Sequence, residues 1–570
     1  MTPEIDPSNP KQTPAVLREV QIGQRTMTAA DAVLGYLEAE GTDKAFVYSG
    51  TSNNPLITSP NRGRIQFFRP AHEQGAGYAA EGYARMSGKV GVVITIGGPG
   101  LTDLITSLAN AKKDSTSLIA VIGSGHSKYI GLDTYQNVDV PELTKVVVKQ
   151  AFRIRKPGAT TEVMQEAFYC TRSGRPGPVV VEIPEDIQLA KDTFKPFYPD
   201  TAPIYPVNTP MDAWQFNHAA DILNHSQKPV ILVGNGLLMS PNAPRFLDEL
   251  ARKTDSYVVY TLHGKSGFPD THHLNAGMIG VRGRDIANQI IDNADCILVV
   301  GARRDEKATR GLGERFARQA TLIQIDTAPE QCDQTRSAQL SIAANAAFAL
   351  EEILKRTIWK KNTAWRAMFD EEIQQAKTTV GSSSPDSQLM PDEVIDILSK
   401  VTRGKAVVVS DSGQSKFVAV ERYLAEDPKS FFASGGLGAM GFGLPAAMGV
   451  KIAAPDRDVF ALMGDGAGLR VLPLFGTERA YQIPTCSIVM NNKAFGSVQI
   501  TQEKSGDGRI CETDQTDHNP DFLAAGQAFG IQGIRVTRAE EVEPALLQAQ
   551  QITRSGKPFI VEACVGILRA

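Results

Sequence analysis

The chain has 570 residues, which at about 100–200 residues per domain implies three or four domains. Lys and Arg together number 59 and Asp and Glu 63, and the resulting net charge of −4 excludes a nucleic-acid-binding protein that depends on a basic surface. A hydrophobic content of 42% with 50 glycines and 33 prolines is typical of a globular enzyme and excludes a disordered or fibrous chain.

The first 24 residues, which begin MTPEIDPSNPKQTP, are polar and rich in proline, and we interpret them as a flexible arm. This segment lacks the apolar core of a secretory signal. No stretch of the chain reaches the ~20 apolar residues needed to cross a bilayer. The six cysteines form no C-x-x-C pair, so reduced thiols are favoured over disulfides or a zinc site. We therefore expect a cytoplasmic protein without a membrane partner.

Short runs of Val and Ile, each followed by a Gly-containing turn and a helix-like stretch, recur along the chain. Such runs, alternating with helices, are typical of parallel strands buried on both faces. They occur in three successive units, at 45–48, 91–96, 118–122 and 178–183, then 229–233, 257–262, 296–300 and 322–326, then 406–410, 459–463, 487–490 and 559–563.

Two segments without this pattern separate the three units. Residues 195–210 are rich in proline and residues 378–388 are polar (TTVGSSSPDSQ), so both are predicted to be linkers. The sequence thus predicts an α/β protein with three consecutive parallel-sheet domains, at 25–194, 211–377 and 389–570. Ligands of such open sheets bind beyond the carboxyl ends of the strands, so the residues after each strand are the candidates for chemistry.

In the first unit, Glu73 lies in the segment HEQGA, near the start of a predicted helix over 71–86. A Glu at this position commonly does no more than complement the helix dipole. The turn GGPG at 97–100 is equally compatible with a simple loop. Neither motif identifies a function by itself.

In the last unit, Gly464-Asp465-Gly466 ends one predicted strand and Asn491-Asn492 ends the next. Glycines after a strand allow the backbone to approach a phosphate, and a carboxylate and an amide oxygen can share a hard divalent cation. Mg²⁺ suits this set because it keeps few protein ligands and takes others from substrate phosphates. The two motifs together favour a magnesium and diphosphate site over two unrelated turns.

A second glycine cluster, residues 434–441, contains Gly436-x-Gly438-x-x-Gly441 before a helix-like segment. This spacing matches the dinucleotide-binding fingerprint. That fingerprint also requires an acidic residue at the end of the next strand, and the first one there is Asp465, which already belongs to the Gly-Asp-Gly motif. A nicotinamide dehydrogenase is an alternative, but it leaves Glu73 and the Asn-Asn motif unexplained.

Together, these motifs occur in the order found in thiamine-diphosphate enzymes. The chain resembles the acetolactate synthase group of that superfamily over residues 25–566, through stretches such as HEQGAGYAAEGYARMSGK, LDTYQNVDV, SGRPGPVVVEIPEDIQ and ASGGLGAMGFGLPAA. The resemblance implies a pyrimidine-binding domain, a central Rossmann-like domain and a diphosphate-binding domain, in that order. It also implies an active site between the first domain of one subunit and the last domain of another, in a homodimer or homotetramer.

The resemblance assigns roles to individual residues of this sequence. Glu73 would activate the cofactor through its pyrimidine nitrogen, and Gln136 and Lys149 would line the substrate side. Met440 would hold the cofactor in a bent conformation, next to the backbone of Gly438. The other implied cofactor contacts are Gln414, Gly466, Ala467 and Gly496, with Asp465, Asn492 and the carbonyl of Ala494 as ligands of Mg²⁺.

In part of this group the central domain binds FAD in a non-redox role. The residues at the corresponding positions are Arg175, Gly234, Gly236, Arg303 and Asp326. The Phe that usually follows Arg303 is Arg304 here, and the added positive charge also suits another adenine nucleotide or no cofactor at all. The resemblance therefore predicts FAD, with ADP or no cofactor as alternatives.

Other departures from the family concern the acceptor side of the site. The acceptor-anchoring Arg corresponds to Lys307, which lacks the bidentate fork of Arg. A pocket Trp corresponds to Thr501, and a His beside the diphosphate corresponds to Ser415. We infer that the cofactor chemistry is kept while the acceptor site is altered.

The predicted function is a carboligase that decarboxylates a 2-oxo acid, with pyruvate as the expected donor, and transfers the acyl unit to a second carbonyl. Its partners would be these small molecules and further copies of the chain. A simple 2-oxo acid decarboxylase, an acyltransferase of the same superfamily and a non-catalytic cofactor-binding protein are the alternatives.

Overall fold

A computed structural model describes residues 25–61, 63–194, 213–328, 336–378, 388–505 and 508–569. The predicted arm 1–24, the predicted linker 195–210 and most of the predicted linker 378–388 lie outside the described residues. The described part contains three six-stranded parallel sheets, one within each predicted domain, and this confirms the predicted α/β fold class.

The first sheet has the strand order β3-β2-β4-β5-β7-β6, and a separate antiparallel ribbon pairs β1 with β8. The strands are β1 (Arg25–Thr28), β2 (Lys44–Val47), β3 (Gln66–Phe68), β4 (Gly91–Ile96), β5 (Leu118–Ser124), β6 (Gln150–Arg153), β7 (Pro178–Pro184) and β8 (Lys191–Phe194). The helices are α1 (Ala29–Ala39), α2 (Asn54–Thr58), α3 (Glu73–Ser87), α4 (Pro99–Asp114), α5 (Val140–Thr144), α6 (Thr160–Arg172) and α7 (Glu185–Leu189).

The second sheet has the strand order β11-β10-β9-β12-β13-β14. Its strands are β9 (Pro229–Val233), β10 (Tyr257–Tyr260), β11 (Asn275–Met278), β12 (Cys296–Val300), β13 (Thr321–Asp326) and β14 (Leu340–Ala343). Its helices are α8 (Ala213–His225), α9 (Asn235–Leu238), α10 (Ala243–Thr254), α11 (Asp285–Asn293), α12 (Ala346–Arg356) and α13 (Thr363–Thr378).

The third sheet has the strand order β16-β15-β17-β18-β20-β19. Its strands are β15 (Val407–Ser410), β16 (Phe431–Ala433), β17 (Val459–Gly464), β18 (Cys486–Asn491), β19 (Gln532–Val536) and β20 (Phe559–Cys564). Its helices are α14 (Pro391–Thr402), α15 (Gln414–Arg422), α16 (Gly443–Ala453), α17 (Asp465–Val471), α18 (Leu474–Tyr481), α19 (Gly496–Lys504), α20 (Phe522–Ala528) and α21 (Ala539–Arg554).

The strands form because their residues are β-branched and apolar and lie between two layers of helices. All residues of β5 and of β12 are buried, as expected of central strands in a parallel sheet covered on both faces. The first and third sheets share one strand order, whereas the second has the order 3-2-1-4-5-6 that is typical of dinucleotide-binding domains. Among the described residues, no helix combines the length and apolar composition needed to cross a bilayer.

The first and third domains are joined by close packing of α3 on α16. Glycines make this approach possible, because a Cβ added to Gly82 would clash with the carbonyl of Ala446, and one added to Gly449 would clash with that of Ala79. Both obstacles are backbone atoms, which cannot rotate away as a side chain does. The two helices therefore lie backbone to backbone at this contact.

Replacing Gly449 by Ala is expected to force α16 away from α3 and to lower the free energy of unfolding by about 1–3 kcal/mol. A Cβ on Gly125, by contrast, meets no atom within 4 Å. The Gly125→Ala variant is therefore a matched control, with an expected change within about 0.5 kcal/mol. Urea titration monitored by circular dichroism measures both, and equal effects would contradict the proposed role of Gly449.

Candidate active site

Glu73 is the first residue of α3, at the carboxyl edge of the first sheet. The preceding His72 caps the helix, because its Nδ1 accepts a hydrogen bond from the Gly75 N–H at 3.0 Å. Glu73 itself is buried, with 7% of its surface exposed, and burial raises the pKa of its carboxyl group. A carboxylate that only complements a helix dipole is normally solvated. The burial of Glu73 therefore favours a role in chemistry over the dipole interpretation.

The GGPG turn lies between Glu73 and Gln136. A Cβ on Gly100 would lie 3.0 Å from Glu73 Oε1, and a Cβ on Gly98 would lie 2.6 Å from the carbonyl oxygen of Gln136. Gln136 is exposed and has a φ of 56°. The structure thus brings the predicted residues Glu73 and Gln136 to one edge of the first sheet, on either side of a turn in which three of the four residues are glycines.

Lys149, which was predicted to line the substrate side, lies elsewhere. Its Nζ donates to the carbonyls of Cys170 at 2.6 Å and Ser173 at 2.7 Å, at the carboxyl end of α6. Its backbone N–H bonds to Pro178, the first residue of β7, whereas Glu73 lies at the opposite ends of the strands. The side chain caps a helix because a Lys satisfies C-terminal carbonyls well. The structure therefore does not bring Lys149 to Glu73.

Asp465 begins α17 directly after β17, at the carboxyl edge of the third sheet. Its Oδ1 accepts from the Gly466 N–H at 2.9 Å, and its Oδ2 accepts from Asn519 Nδ2 at 2.7 Å. The same Asn519 amide also reaches Asn491 Oδ1 at 3.1 Å. Burial raises the pKa of Asp465. Asn519 is a residue that the sequence did not reveal, because it lies in a loop far along the chain from either strand.

Three other predicted cofactor residues gather beside Asp465. A Cβ on Gly496 would lie 2.9 Å from Asn492 Nδ2 and 3.4 Å from Gln414 Oε1, so these three residues are neighbours. Asn492 Oδ1 accepts from the Ala494 N–H at 3.1 Å. The predicted residues are therefore together in the third domain, with Gly466 and the buried Ala467 following Asp465 directly in α17.

The same edge has the space and the chemistry that a diphosphate and a hard cation require. A Cβ on Gly413 or Gly464 would meet no atom within 4 Å, and one on Gly438 would meet only the Ser412 hydroxyl at 3.7 Å. Within the described residues, the buried hydroxyl of Ser415 has no hydrogen-bond partner. Among the described residues, no group of three His, Cys, Asp or Glu side chains is arranged so that it could hold a metal ion. A cation here would therefore rely on one carboxylate with amide and carbonyl oxygens, a set that suits Mg²⁺.

Two buried carboxylates hold the glycine loop 434–441, which contains Gly438 and the half-buried Met440. Asp411 accepts from the Gly441 N–H at 3.0 Å and from the Gly443 N–H at 2.6 Å, and burial raises its pKa to about 6. Asp411 directly follows β15, so inspection of strand ends would have identified it.

The second carboxylate is Asp114, the last residue of α4, which contacts all three domains. It accepts from the Gly436 N–H at 2.7 Å, and its Oδ1 lies 3.0 Å from His263 Nε2. Arg85 lies 3.8 Å from its other oxygen and donates to the Ala433 carbonyl at 3.0 Å. Although burial alone would raise its pKa, the charges of His263 and Arg85 and the N–H donors hold the pKa of Asp114 below its ordinary value.

Within one chain, Glu73 and the glycine loop lie at opposite ends of α4. Glu73 adjoins Gly100 in the first turn of this helix, and Gly436 bonds to Asp114 at its last residue. The 16 residues of α4 span about 24 Å at 1.5 Å per residue. The buried carboxylate and the Gly438–Met440 segment therefore form two separate candidate half-sites of the chain.

A cavity of about 600 Å³ lies among the three domains, at the carboxyl ends of β9 and β12. A Cβ on Gly236 would lie 2.7 Å from the Cα of Gly301, so these two glycines pack backbone against backbone in the cavity wall. The predicted residues Arg175, Gly236, Arg303 and Asp326 line the cavity, and Gly234 caps α9 beside it. Arg175 and Arg303 both donate to the carbonyl of Lys113, at 2.9 and 3.1 Å. The position is the switch point at which this sheet topology binds nucleotides.

The departures from the family pattern have different surroundings. Arg304 is buried and donates to the carbonyl of Arg336 at 2.6 Å, outside the cavity wall, so it does not add positive charge to the cavity surface as expected. Lys307 does line the cavity. Thr501 is exposed on α19, and its hydroxyl donates to the Ser497 carbonyl of its own helix.

Comparison with known families matches all three domains in order. The thiamine pyrophosphate enzyme models for the N-terminal TPP binding domain, the central domain and the C-terminal TPP binding domain match residues 27–143, 216–353 and 411–563. The resemblance predicted from the sequence is thus confirmed, and the glycine cluster at 434–441 lies inside the C-terminal TPP binding domain rather than a nicotinamide site.

Curated relatives extend over nearly the whole chain. The acetolactate synthase large subunit of Corynebacterium glutamicum is 33% identical and covers 95% of this chain and 87% of its own length. In Escherichia coli, the acetolactate synthase isozyme 3 large subunit is 31% identical (95% of both chains), and that of isozyme 2 is 34% identical (95% of this chain, 96% of its own). The chain therefore belongs to the thiamine pyrophosphate enzymes, as an acetolactate synthase-like member of that family.

Proposed function

We propose that the protein is a carboligase that decarboxylates pyruvate and transfers the acyl unit to a second carbonyl compound. The observation that carries this proposal is the pair of half-sites at equivalent edges of two like sheets. One holds the buried Glu73, and the other holds Asp465 and Asn492 beside open glycines. The names of the relatives, acetolactate synthases, support carboligation as the reaction.

When bound, thiamine diphosphate supplies a nucleophilic carbon and an electron sink for decarboxylation. Glu73 would exchange a proton with the pyrimidine ring nitrogen, a task that its raised pKa and burial suit. Gly466, Ala467 and Gln414 would hold the diphosphate, and the Gly438–Met440 segment would orient the rings. Gln136, at the mouth of the first half-site, would contact the substrate. The residues of the chain would thus position the cofactor, exclude water from it and exchange one proton with it.

The purified protein, supplied with thiamine diphosphate, Mg²⁺ and pyruvate, is expected to release CO₂ and to form a coupled product that mass spectrometry detects. Release of CO₂ with free acetaldehyde alone would indicate a simple decarboxylase. Formation of an acyl thioester or acyl phosphate, which requires an added two-electron acceptor besides the thiol or phosphate, would indicate an acyltransferase. Cofactor binding without turnover of any 2-oxo acid would indicate a non-catalytic protein and would contradict the proposal.

We propose Mg²⁺ as the metal, with Asp465, Asn492 and the Ala494 carbonyl as its protein ligands. The neighbouring Asn519, which donates to Asp465 Oδ2 at 2.7 Å, would hold that carboxylate in place. Dialysis against a chelator should abolish activity, and added Mg²⁺ should restore it. Full activity after complete removal of divalent metal would exclude this site.

We propose that the cavity at the ends of β9 and β12 binds FAD through Arg175, Gly234, Gly236, Arg303 and Asp326. The cavity volume of about 600 Å³ and the cationic wall support an adenine nucleotide. Mass spectrometry of the small molecules released from denatured protein is expected to detect FAD. Release of ADP would favour the alternative ligand, and release of neither compound would contradict nucleotide binding by this cavity. The Arg175→Gln variant should retain less of it.

We propose that two chains form each active site, in a homodimer or in a homotetramer of such dimers. The separation of Glu73 from the glycine loop by the length of α4 supports this arrangement. So do exposed apolar side chains beside each half-site. Tyr135, the neighbour of Gln136 in sequence, is 90% exposed, and Leu437 is 44% exposed in the glycine loop. A partner domain would cover both surfaces.

Two inactive variants should complement each other if the site is shared. In a mixed dimer of Glu73→Gln and Asp465→Asn chains, one site carries both substitutions and the other carries neither. Random pairing should therefore restore about one quarter of the wild-type activity, because half of the dimers have one intact site. Co-expression with two different affinity tags measures this directly. No recovery in the purified mixed dimer would indicate a site within one chain.

We further propose a cytoplasmic location. The described cysteines are all free thiols, and burial raises the pKa of Cys296 and Cys486, which lowers their reactivity. Free thiols of this kind are typical of a reducing compartment. Fractionation of the source cells would check this location.

A further inference from the structure

Two cations share one aromatic ring at the end of the cavity nearest the glycine loop. The Lys416 ammonium lies 5.1 Å from the centroid of the Phe417 ring, and the Arg282 guanidinium carbon lies 5.5 Å from the same centroid. Both side chains and the ring line the cavity, as do Lys307 and Leu437. Two like charges on one ring repel each other, and an anion bound beside them would offset that repulsion.

Lys416 has unused hydrogen-bonding capacity. Only 5% of its surface is exposed, and its Nζ donates to the Ser434 carbonyl at 3.0 Å. Within the described ranges, no carboxylate forms an ion pair within 4.0 Å of either Lys416 or Arg282. An ammonium has three donors, so further acceptors can bind at Lys416. A buried lysine in this state is costly unless a ligand compensates its charge.

The carboxylates closest to this group are already saturated. Asp411 accepts from the N–H groups of Ser412, Gly441 and Gly443. Asp114 accepts from Gly435 and Gly436 and faces His263 and Arg85. Neither has an oxygen to spare for a close pair with Lys416. The positive charge therefore faces the cavity.

The position of these cations relates them to the acceptor substrate. Leu437, in the same cavity wall, is the residue before Gly438 in the segment assigned to the cofactor rings. An anion held by Lys416 and Arg282 would thus lie in the cavity next to the segment assigned to the cofactor rings. Lys307, which lines the same cavity, remains available for a carboxylate adjacent to the acceptor carbonyl.

We propose that Lys416 and Arg282 form an oxyanion subsite that selects an acceptor with a carboxylate or phosphate remote from its reacting carbonyl. The inference rests on the proposed carboligase function and adds the class of its acceptor. Arg282 supplies a planar donor fork and Lys416 a buried point charge, a pair that suits either oxyanion. Phe417 holds both cations over its ring and packs against the carbon chain of the acceptor.

Two pairs of aldehydes, with pyruvate as the donor, test the subsite. Succinic semialdehyde is compared with butanal, and glyceraldehyde 3-phosphate with glyceraldehyde, so that each pair differs by one anionic group. We expect kcat/KM for the charged member of at least one pair to exceed that for the neutral member at least tenfold. The pair that shows the preference identifies carboxylate or phosphate as the ligand. Equal rates within both pairs would overturn the proposal.

The variants Arg282→Gln and Lys416→Gln should each lower the charged-to-neutral ratio by ten- to a hundredfold. Arg245→Gln, which removes an exposed cation on α10, is the matched control and should leave the ratio unchanged. Arg282 is exposed, so its variant tests the subsite even if Lys416→Gln fails to fold. An unchanged ratio in Arg282→Gln would contradict the assignment.

A bound nucleotide is the other source of a phosphate at these cations. The nucleotide released from each variant is therefore measured by mass spectrometry. Loss of nucleotide without a change in the acceptor ratio would assign the cations to the nucleotide and overturn the proposal. Failure of the carboligase function itself has a different signature, because the wild-type protein would then form no coupled product from pyruvate with any acceptor, charged or neutral.

Discussion

Replacing Glu73 by Gln is expected to lower the rate of CO₂ release from pyruvate by about 10²–10⁴-fold, the usual contribution of a general acid or base. Gln keeps the size and the hydrogen-bonding oxygen of Glu but cannot exchange a proton. Glu73 is buried, and burial raises its pKa. Removal of this buried acidic group should cause no loss of stability, because the neutral amide avoids the desolvation of a carboxylate.

The Glu73→Gln variant should still bind thiamine diphosphate, because all the proposed diphosphate contacts belong to the third domain. Single-turnover measurements should therefore locate the defect in the chemical step rather than in cofactor affinity. Glu162→Gln, an exposed Glu in the first turn of α6, is the matched control and should retain full activity. Wild-type turnover in the Glu73→Gln variant would contradict the proposed proton exchange.

Residues that directly follow a strand were predictable from the sequence. Asp465 follows β17, and Asn492 follows β18, and parallel strands bring their carboxyl ends to one edge. The same rule would have identified Asp411 after β15. The three-sheet fold was predictable for a related reason, because buried parallel strands require continuous apolar runs that few other structures share.

Residues that approach the site from another element carry no such signal. Asn519 reaches Asp465 from a loop, and His263 reaches Asp114 from a different domain. Their positions depend on how the domains pack, which no local pattern encodes. Matches at single positions do not show where a long side chain points. Lys149 and Arg304 bond to backbone carbonyls nearby, and the direction of a long side chain follows such local partners.

The Asp114→Ala variant is expected to lose about 3–5 kcal/mol of unfolding free energy, the usual cost of breaking a buried charge pair. The substitution leaves the N–H groups of Gly435 and Gly436 without their acceptor. It also leaves Arg85 buried beside Glu81, whose pKa is raised by burial and by the charge of Asp114. Urea titration measures the loss. Asp292→Ala, which removes an exposed ion pair with Arg310, should cost less than about 1 kcal/mol.

The milder variant Asp114→Asn should also weaken the site, because Asp114 joins the cavity at the ends of β9 and β12 to the glycine loop. His263 and Asp114 line the cavity, and the N–H groups of Gly435 and Gly436 bond to Asp114 just before the Gly438–Met440 segment. If Asp114 only stabilised the fold, Asp114→Asn would lose stability and keep its cofactor affinity. If it also positions the loop, the concentration of thiamine diphosphate required for half-maximal activity should rise in Asp114→Asn at temperatures where the protein remains folded. An unchanged requirement would limit Asp114 to stability and leave Asp411 as the carboxylate that orders the loop.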